Sequence, residues 1–135
     1  MVSWNNLDTL SSYKELADVK PACLTEVMSG DNGAERVKNY SVPMAAGLSY
    51  NYASKQVNEN VLAALEKLAD EAQLADKFKA LYNGEVVNTG EKRLVLHHMT
   101  RGQLGDAVEA DGVDKRTFYK TQQERIAEFL SLIHI

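Results

Sequence analysis

Few residues in this sequence have types and spacings that could do chemistry: His97-His98, Cys23, the carboxylate pair Glu66 and Asp70, and the tripeptide Asp31-Asn32-Gly33. Two adjacent histidines suggest a metal or a proton relay. The run from Arg93 to Met99, dense in Leu94, Val95 and Leu96, instead predicts a short buried strand or a covered extended segment, where neighbouring side chains point to opposite faces and cannot easily chelate one ion. A structural role is expected for both. Cys23, flanked by Ala22 and Leu24 without a basic activator, is expected to be a small buried hydrophobe rather than a nucleophile. Glu66 and Asp70 lie one turn apart, a spacing common on any solvated helical face. Asp31-Asn32-Gly33 begins like a calcium loop but lacks the further ligands and the closing glutamate, so a turn is expected. His134 lies in an apolar tail without a visible partner. Neither a Walker A motif nor the spaced glycines of a dinucleotide site occurs, and no metal or cofactor is expected.

The elements that would carry these residues read as mainly helical. Leu7, Leu10, Tyr13 and Leu16 predict a first helix that Lys20-Pro21 ends. Residues 22–28 allow another turn or two before the turn-forming Ser29-Gly30-Asp31-Asn32-Gly33. Ala34 to Lys38 favours helix, and residues 39–56 read as irregular connection broken by Val42-Pro43 and Ala46-Gly47. Asn58 is a good N-cap, and Glu59 suits the positive helix end. Val61, Leu62, Leu65, Leu68 and Ala69 then make one buried stripe, and Leu74, Phe78 and Leu81 a second, as two packed helices or one kinked helix require. Asn83-Gly84 closes that run in left-handed conformation. Glycines 102, 105 and 112 predict loop up to Asp114, which can cap a last helix carrying Phe118, Gln122, Ile126 and Phe129.

Composition bounds the function classes. The chain has 135 residues and one cysteine, a length that permits an autonomous domain. Fifteen Lys and Arg against nineteen Asp and Glu give a net charge of -4 with no basic cluster, which argues against nucleic acid. No stretch approaches the roughly 20 apolar residues of a membrane helix, nor do the first residues resemble a secretory signal. Absence of an internal disulfide suits the cytoplasm.

From Gly84 to Arg101 the chain reads Gly-Glu-Val-Val-Asn-Thr-Gly-Glu-Lys-Arg-Leu-Val-Leu-His-His-Met-Thr-Arg. This resembles, without a gap, a stretch of the glucose-6-phosphate isomerase family: Gly84, Glu85, Asn88, Glu91, Arg93, Val95, Leu96, His97 and Arg101 match, and Val87 is a conservative stand-in. Gly90, Leu94, Met99 and Thr100 depart from it. Upstream, Tyr52-Ala53-Ser54-Lys55 and the helices over 58–81 are also similar to the family, so residues 34–129 are covered. The resemblance implies the amino-terminal part of an α/β, three-layer sugar-isomerase sandwich enzyme, here mainly α-helical with at most one or two short strands.

It also implies interconversion of glucose 6-phosphate and fructose 6-phosphate by proton transfer through an enediol, without an organic cofactor, in a cytoplasmic homodimer. In the family a glutamate moves the proton, a histidine and a lysine assist ring opening, and an arginine stabilises developing charge. These groups belong to later domains, so no catalytic residue is assigned here and the segment alone is expected to be inactive. Glu91, Arg93, His97 and Arg101 are expected to form a polar network bracing the first helices against the later domains, with indirect support of the active site, through the residues that touch substrate, as the alternative. Residues 1–33 read as a variable leader. Leu130 to Ile135 break the preceding rhythm and coincide with one reading frame of a sequencing-library adaptor, so 130–135 reads as a non-native tail. The competing readings are a stand-alone helical interaction module and a non-catalytic sugar-phosphate-binding paralogue.

Overall fold

The computed structural model describes residues 2–102 and 105–133. Helices dominate, as expected, but the strands exceed the one or two anticipated: among the described residues, six short strands pair into three two-stranded antiparallel ribbons. The chain divides into two compact units, residues 5–72 and residues 73–135 together with 1–4.

In the unit over 5–72, a single turn at Leu7–Thr9 leads into helix α1 (Ser11–Asp18). Its N-cap is Leu10, whose side chain cannot accept a hydrogen bond, so the first N–H groups need a partner from elsewhere. Glu71, the last residue of α4 (Glu59–Glu71), supplies it. Its carboxylate accepts from Ser11 N at 3.2 Å, Ser11 Oγ at 3.0 Å, Ser12 N at 2.8 Å and Ser12 Oγ. These donors, the Ser12 hydroxyl foremost, push the Glu71 pKa down to about 2 against desolvation. At its other end α4 starts as the sequence suggests, with Asn58 Oδ1 accepting from Val61 N at 2.9 Å. Asn58 Nδ2 also donates to Lys20 O at 3.2 Å.

Helix α2 (Leu24–Val27) is a single turn, and α3 runs over Gly30–Asn39. The turn expected at Ser29–Gly33 is therefore corrected: only Ser29 stays outside, and Gly33 is buried inside α3 because its backbone lies against the Met28 carbonyl, where a Cβ would overlap. Cys23 is also corrected, being exposed with Sγ 3.1 Å from Thr25 Oγ1, while Ala22 takes the buried place. Residues 39–56 are irregular only in part: residues 52–56 are, while a hairpin precedes them. Strands β1 (Ser41–Pro43) and β2 (Ser49–Asn51) form a ribbon around the turn Ala45–Gly47, which closes because Ala46 and Gly47 both take left-handed backbone, φ 58° and 72°. Arg36, buried on α3, reaches across to the chain after β2. It donates Nε to Ala53 O at 2.8 Å and Nη2 to Lys55 O at 3.0 Å and Val57 O at 2.7 Å, with the guanidinium 3.9 Å above the Tyr40 ring.

The other unit opens at Gln73, in left-handed backbone with φ 53°, so α4 and α5 (Leu74–Tyr82) are two helices rather than one. Ala80 is buried on α5, yet Leu74 and Phe78 are exposed, at 60% and 63%, so the second stripe is not covered as expected. Ser3 N donates to Gln73 Oε1 at 2.9 Å, and Lys77 lies over the Trp4 ring. The end of α5 follows the sequence reading. Gly84 N donates to Leu81 O at 3.2 Å and Glu85 N to Ala80 O at 2.9 Å, with Gly84 at φ 74°. A Cβ on Gly84 would overlap a methyl of buried Val108. Ribbon β3 (Val86–Asn88) and β4 (Arg93–Leu94) follows, then a 3-10 turn at His97–Arg101. The loop expected before Asp114 contains a third ribbon, β5 (Glu109–Ala110) with β6 (Val113–Asp114), turned by Asp111 and Gly112 at positive φ. Helix α6 spans Lys115–Ile133, taking in residues 130–133 of the suspected tail; His134 lies outside the described residues.

The Glu71 carboxylate binds these donors more strongly when ionised, so the stability gained from its charge is complete above about pH 4.5 and is lost as the pH falls towards 2. The difference in melting temperature between the chain and its Glu71→Gln variant is expected to shrink over that interval; a difference independent of pH would contradict the cap. Gly84→Ala meets both a left-handed backbone and Val108, and is expected to lose about 2–4 kcal/mol in denaturant unfolding. A loss below about 0.5 kcal/mol would show that neither constraint operates.

Candidate functional site

The ungapped motif from Gly84 to Arg101 folds as the end of α5, the β3–β4 ribbon and the 3-10 turn. Pairing sets Val86 opposite Leu94 and Asn88 opposite Arg93, with an irregularity between them. Asn88 organises the tip: its Oδ1 accepts from Glu91 N at 3.1 Å, and its Nδ2 donates to Glu91 Oε2 at 3.4 Å. The same carboxylate oxygen lies 3.8 Å from Arg93 Nη1. Asn88, Glu91 and Arg93 thus meet, and Glu91 and Arg93 are exposed, where an ion pair contributes little to stability.

His97 and Arg101 stand apart from that pair, exposed at the two ends of the 3-10 turn, and neither side chain makes a hydrogen bond or ion pair among the described residues. The extended geometry expected for His97-His98 is corrected by this turn, which forms because Thr100 Oγ1 donates to His97 O at 2.8 Å and Met99 N to Leu96 O at 3.0 Å. Met99 is fully buried, and Gln123 of α6 donates to Thr100 O at 2.6 Å. His98 stacks on Tyr82 with ring centroids 4.6 Å apart, and its two ring nitrogens are buried without a partner among the described residues. Among those residues no group of three or more His, Cys, Asp or Glu could hold a metal ion.

Beside the ribbon lies an open trough of about 530 Å³, lined by Arg93, Lys92 and Lys115 with Glu109 and Asp111. Lys115 Nζ lies 3.4 Å from Asp111 Oδ2, so cation and carboxylate neutralise each other there. Behind it, buried Arg116 donates to Asp106 O and, at 2.7 Å, to Tyr82 O, with its guanidinium 5.3 Å from the Tyr82 ring centre. Asp114 starts α6 as expected, accepting from Thr117 Oγ1 at 2.5 Å, Arg116 N at 3.1 Å and Val108 N at 3.3 Å. The Thr117 hydroxyl and these N–H groups hold its carboxyl below the usual range, against burial.

Sequence reasoning passed over Arg36 and Arg116, which organise the segments around the motif. For Arg36 the available signal was helical spacing: Gly33 and Arg36 fall on one face of α3, with Tyr40 just past its end, and an arginine on a face otherwise given to packing is a candidate for burial.

The phosphoglucose isomerase family profile matches residues 51–134, which includes the whole motif and continues past residue 130. The glucose-6-phosphate isomerase of Treponema denticola is 43% identical, aligning with 98% of this chain and 26% of its own length. That of Borreliella afzelii is 41% identical over 99% of the chain and 25% of the relative, and that of Treponema pallidum 42% over 98% and 26%. These alignments take in most of residues 1–33 as well. The chain spans about a quarter of the length of the relatives it matches. With the profile matched over more than half of its residues, this chain belongs to the phosphoglucose isomerase family.

Proposed function

We propose that this chain is the amino-terminal segment of a glucose-6-phosphate isomerase, a cytoplasmic homodimer that interconverts glucose 6-phosphate and fructose 6-phosphate by proton transfer through an enediol. The observation that carries the reading is the ungapped motif from Gly84 to Arg101 inside the matched span. Residues 34–129 are its native helical segment in this reading.

The segment itself is read as inactive, and its electrostatics support that. Abstraction of a proton next to a carbonyl calls for a base whose acidity is tuned towards neutrality. Glu71 and Asp114, the carboxylates shifted by their surroundings, are both lowered and both committed to helix starts. Glu91, Arg93, His97 and Arg101 offer exposed, hydrogen-bonding side chains along one motif. We assign them to bracing contacts with the rest of the polypeptide.

The activity is measured by coupling fructose 6-phosphate turnover to oxidation of the glucose 6-phosphate formed. The full-length polypeptide is expected to turn over and the 135-residue segment to stay at background; an inactive full-length protein would overturn the isomerase reading, and an active segment the placement of catalysis elsewhere. Alanine at Glu91, Arg93, His97 or Arg101 of the full-length enzyme is expected to lower the melting temperature while leaving kcat within about threefold. Loss of turnover at unchanged thermal stability would instead place these residues in support of the active site.

A further inference from the structure

The β1–β2 ribbon has a chemical asymmetry that the isomerase reading does not use. Register sets Val42 opposite Tyr50. The flanking backbone bonds, Met44 N to Leu48 O at 2.8 Å and Tyr52 N to Tyr40 O at 2.9 Å, extend the ladder by one rung at each end. Because side chains alternate along a strand, Tyr40, Val42 and Met44 share a face with Leu48, Tyr50 and Tyr52, and Ser41, Pro43, Ser49 and Asn51 share the other. Ring contacts confirm the shared face, with Tyr52 5.2 Å from Tyr40 and 6.2 Å from Tyr50. One face is therefore wholly aromatic and aliphatic, and the other consists of small or polar residues and proline.

Cover on the apolar face runs out towards the tip. Tyr40 and Tyr52 at the root are half-buried; Val42 is 45% exposed, Tyr50 48%, Met44 56% and Leu48 65%. A ribbon of two strands is marginal by itself and gains its stability from a third strand or from packing on its apolar face. Two apolar rungs left open at the outer end, Val42 with Tyr50 and Met44 with Leu48, are a docking surface by the same reasoning that makes a buried stripe a core.

We infer that the apolar face of the β1–β2 ribbon seats polypeptide that follows residue 135 in the full-length protein. This rests on the reading of the chain as the amino-terminal segment. The relatives are about four times as long as the part matched here, so about three quarters of such a protein has no counterpart in this structure. That polypeptide is present at high effective concentration without any encounter cost, unlike a separate partner.

The experiment places a photo-crosslinking phenylalanine analogue at Met44 of the full-length protein, irradiates it and maps the joined peptides by mass spectrometry. Crosslinks within one chain from position 44 to peptides beyond residue 135 are expected. Crosslinks between two copies, seen as a species of doubled mass, would overturn the inference and make the face a subunit contact; crosslinks confined to residues 1–135 would overturn it as well. Leu48→Ser in the same protein is expected to lower the melting temperature by several degrees while the isolated segment barely changes, and equal shifts in both would also count against it. Isomerase turnover is measured alongside, so an active enzyme without the crosslinks separates failure of this inference from failure of the functional reading.

Discussion

Each unit of this chain depends on a buried guanidinium paired with backbone carbonyls. Arg36 binds the carbonyls of Ala53, Lys55 and Val57, and Arg116 those of Tyr82 and Asp106. Taking an arginine out of water costs several kcal/mol unless its donors are met, and carbonyls need donors as much as the guanidinium needs acceptors. One planar group that reaches several oxygens at once meets most of both requirements, Arg116 Nη1 alone of the bonded guanidinium atoms staying buried without a partner among the described residues, and a lysine ammonium on a flexible stem does this less well. The rings of Tyr40 and Tyr82 each cover one guanidinium. Segments with no regular hydrogen-bond ladder of their own, Ala53 to Val57 and the stretch before β5, are thereby given a fixed path.

Such clamps matter here because the apolar core is slight. Among the described residues the buried apolar ones are Ala22, Ala53, Ala72, Ala80, Val108 and Met99, most of them small, whereas Leu48, Leu74, Phe78, Ile126 and Phe129 are well over half exposed. Apolar burial, which stabilises most domains more than anything else does, is thus spread thinly. Polar contacts fix the helix ends in its place. Glu71 completes the start of α1 from the far end of α4, Asn58 caps α4, and Asp114 caps α6. Large apolar groups facing solvent around a polar-braced interior suit a segment whose surface is completed by further polypeptide, in keeping with its span of a quarter of its relatives.

Helix starts and stops were legible in the sequence wherever one residue decides them. Asn58 and Asp114 cap as their types require, Gly84 closes α5, and the 3.6-residue rhythm located α1, α4, α5 and α6. What was not legible depended on partners distant in the chain or on turn chemistry without a strong signal. Ala45-Ala46-Gly47 closes a hairpin with an alanine in left-handed backbone, which its residue type disfavours. Gly33 reads as a turn residue until the Met28 carbonyl is found against it. The motif from Gly84 to Arg101 was recognisable residue by residue, yet the surrounding order comes from Arg116, outside it. Glu71 looked like one more surface carboxylate because its donors lie 60 residues away.

The central claim, that the two arginines each fix one stretch of irregular backbone, is tested most directly by amide hydrogen exchange on Arg36→Lys and Arg116→Lys. The account requires faster exchange at Ala53 and Lys55 in Arg36→Lys with Val108 unchanged, and faster exchange at Val108 in Arg116→Lys with Ala53 and Lys55 unchanged. Unaltered protection in both variants, or loosening of all three amides together in either one, would contradict it.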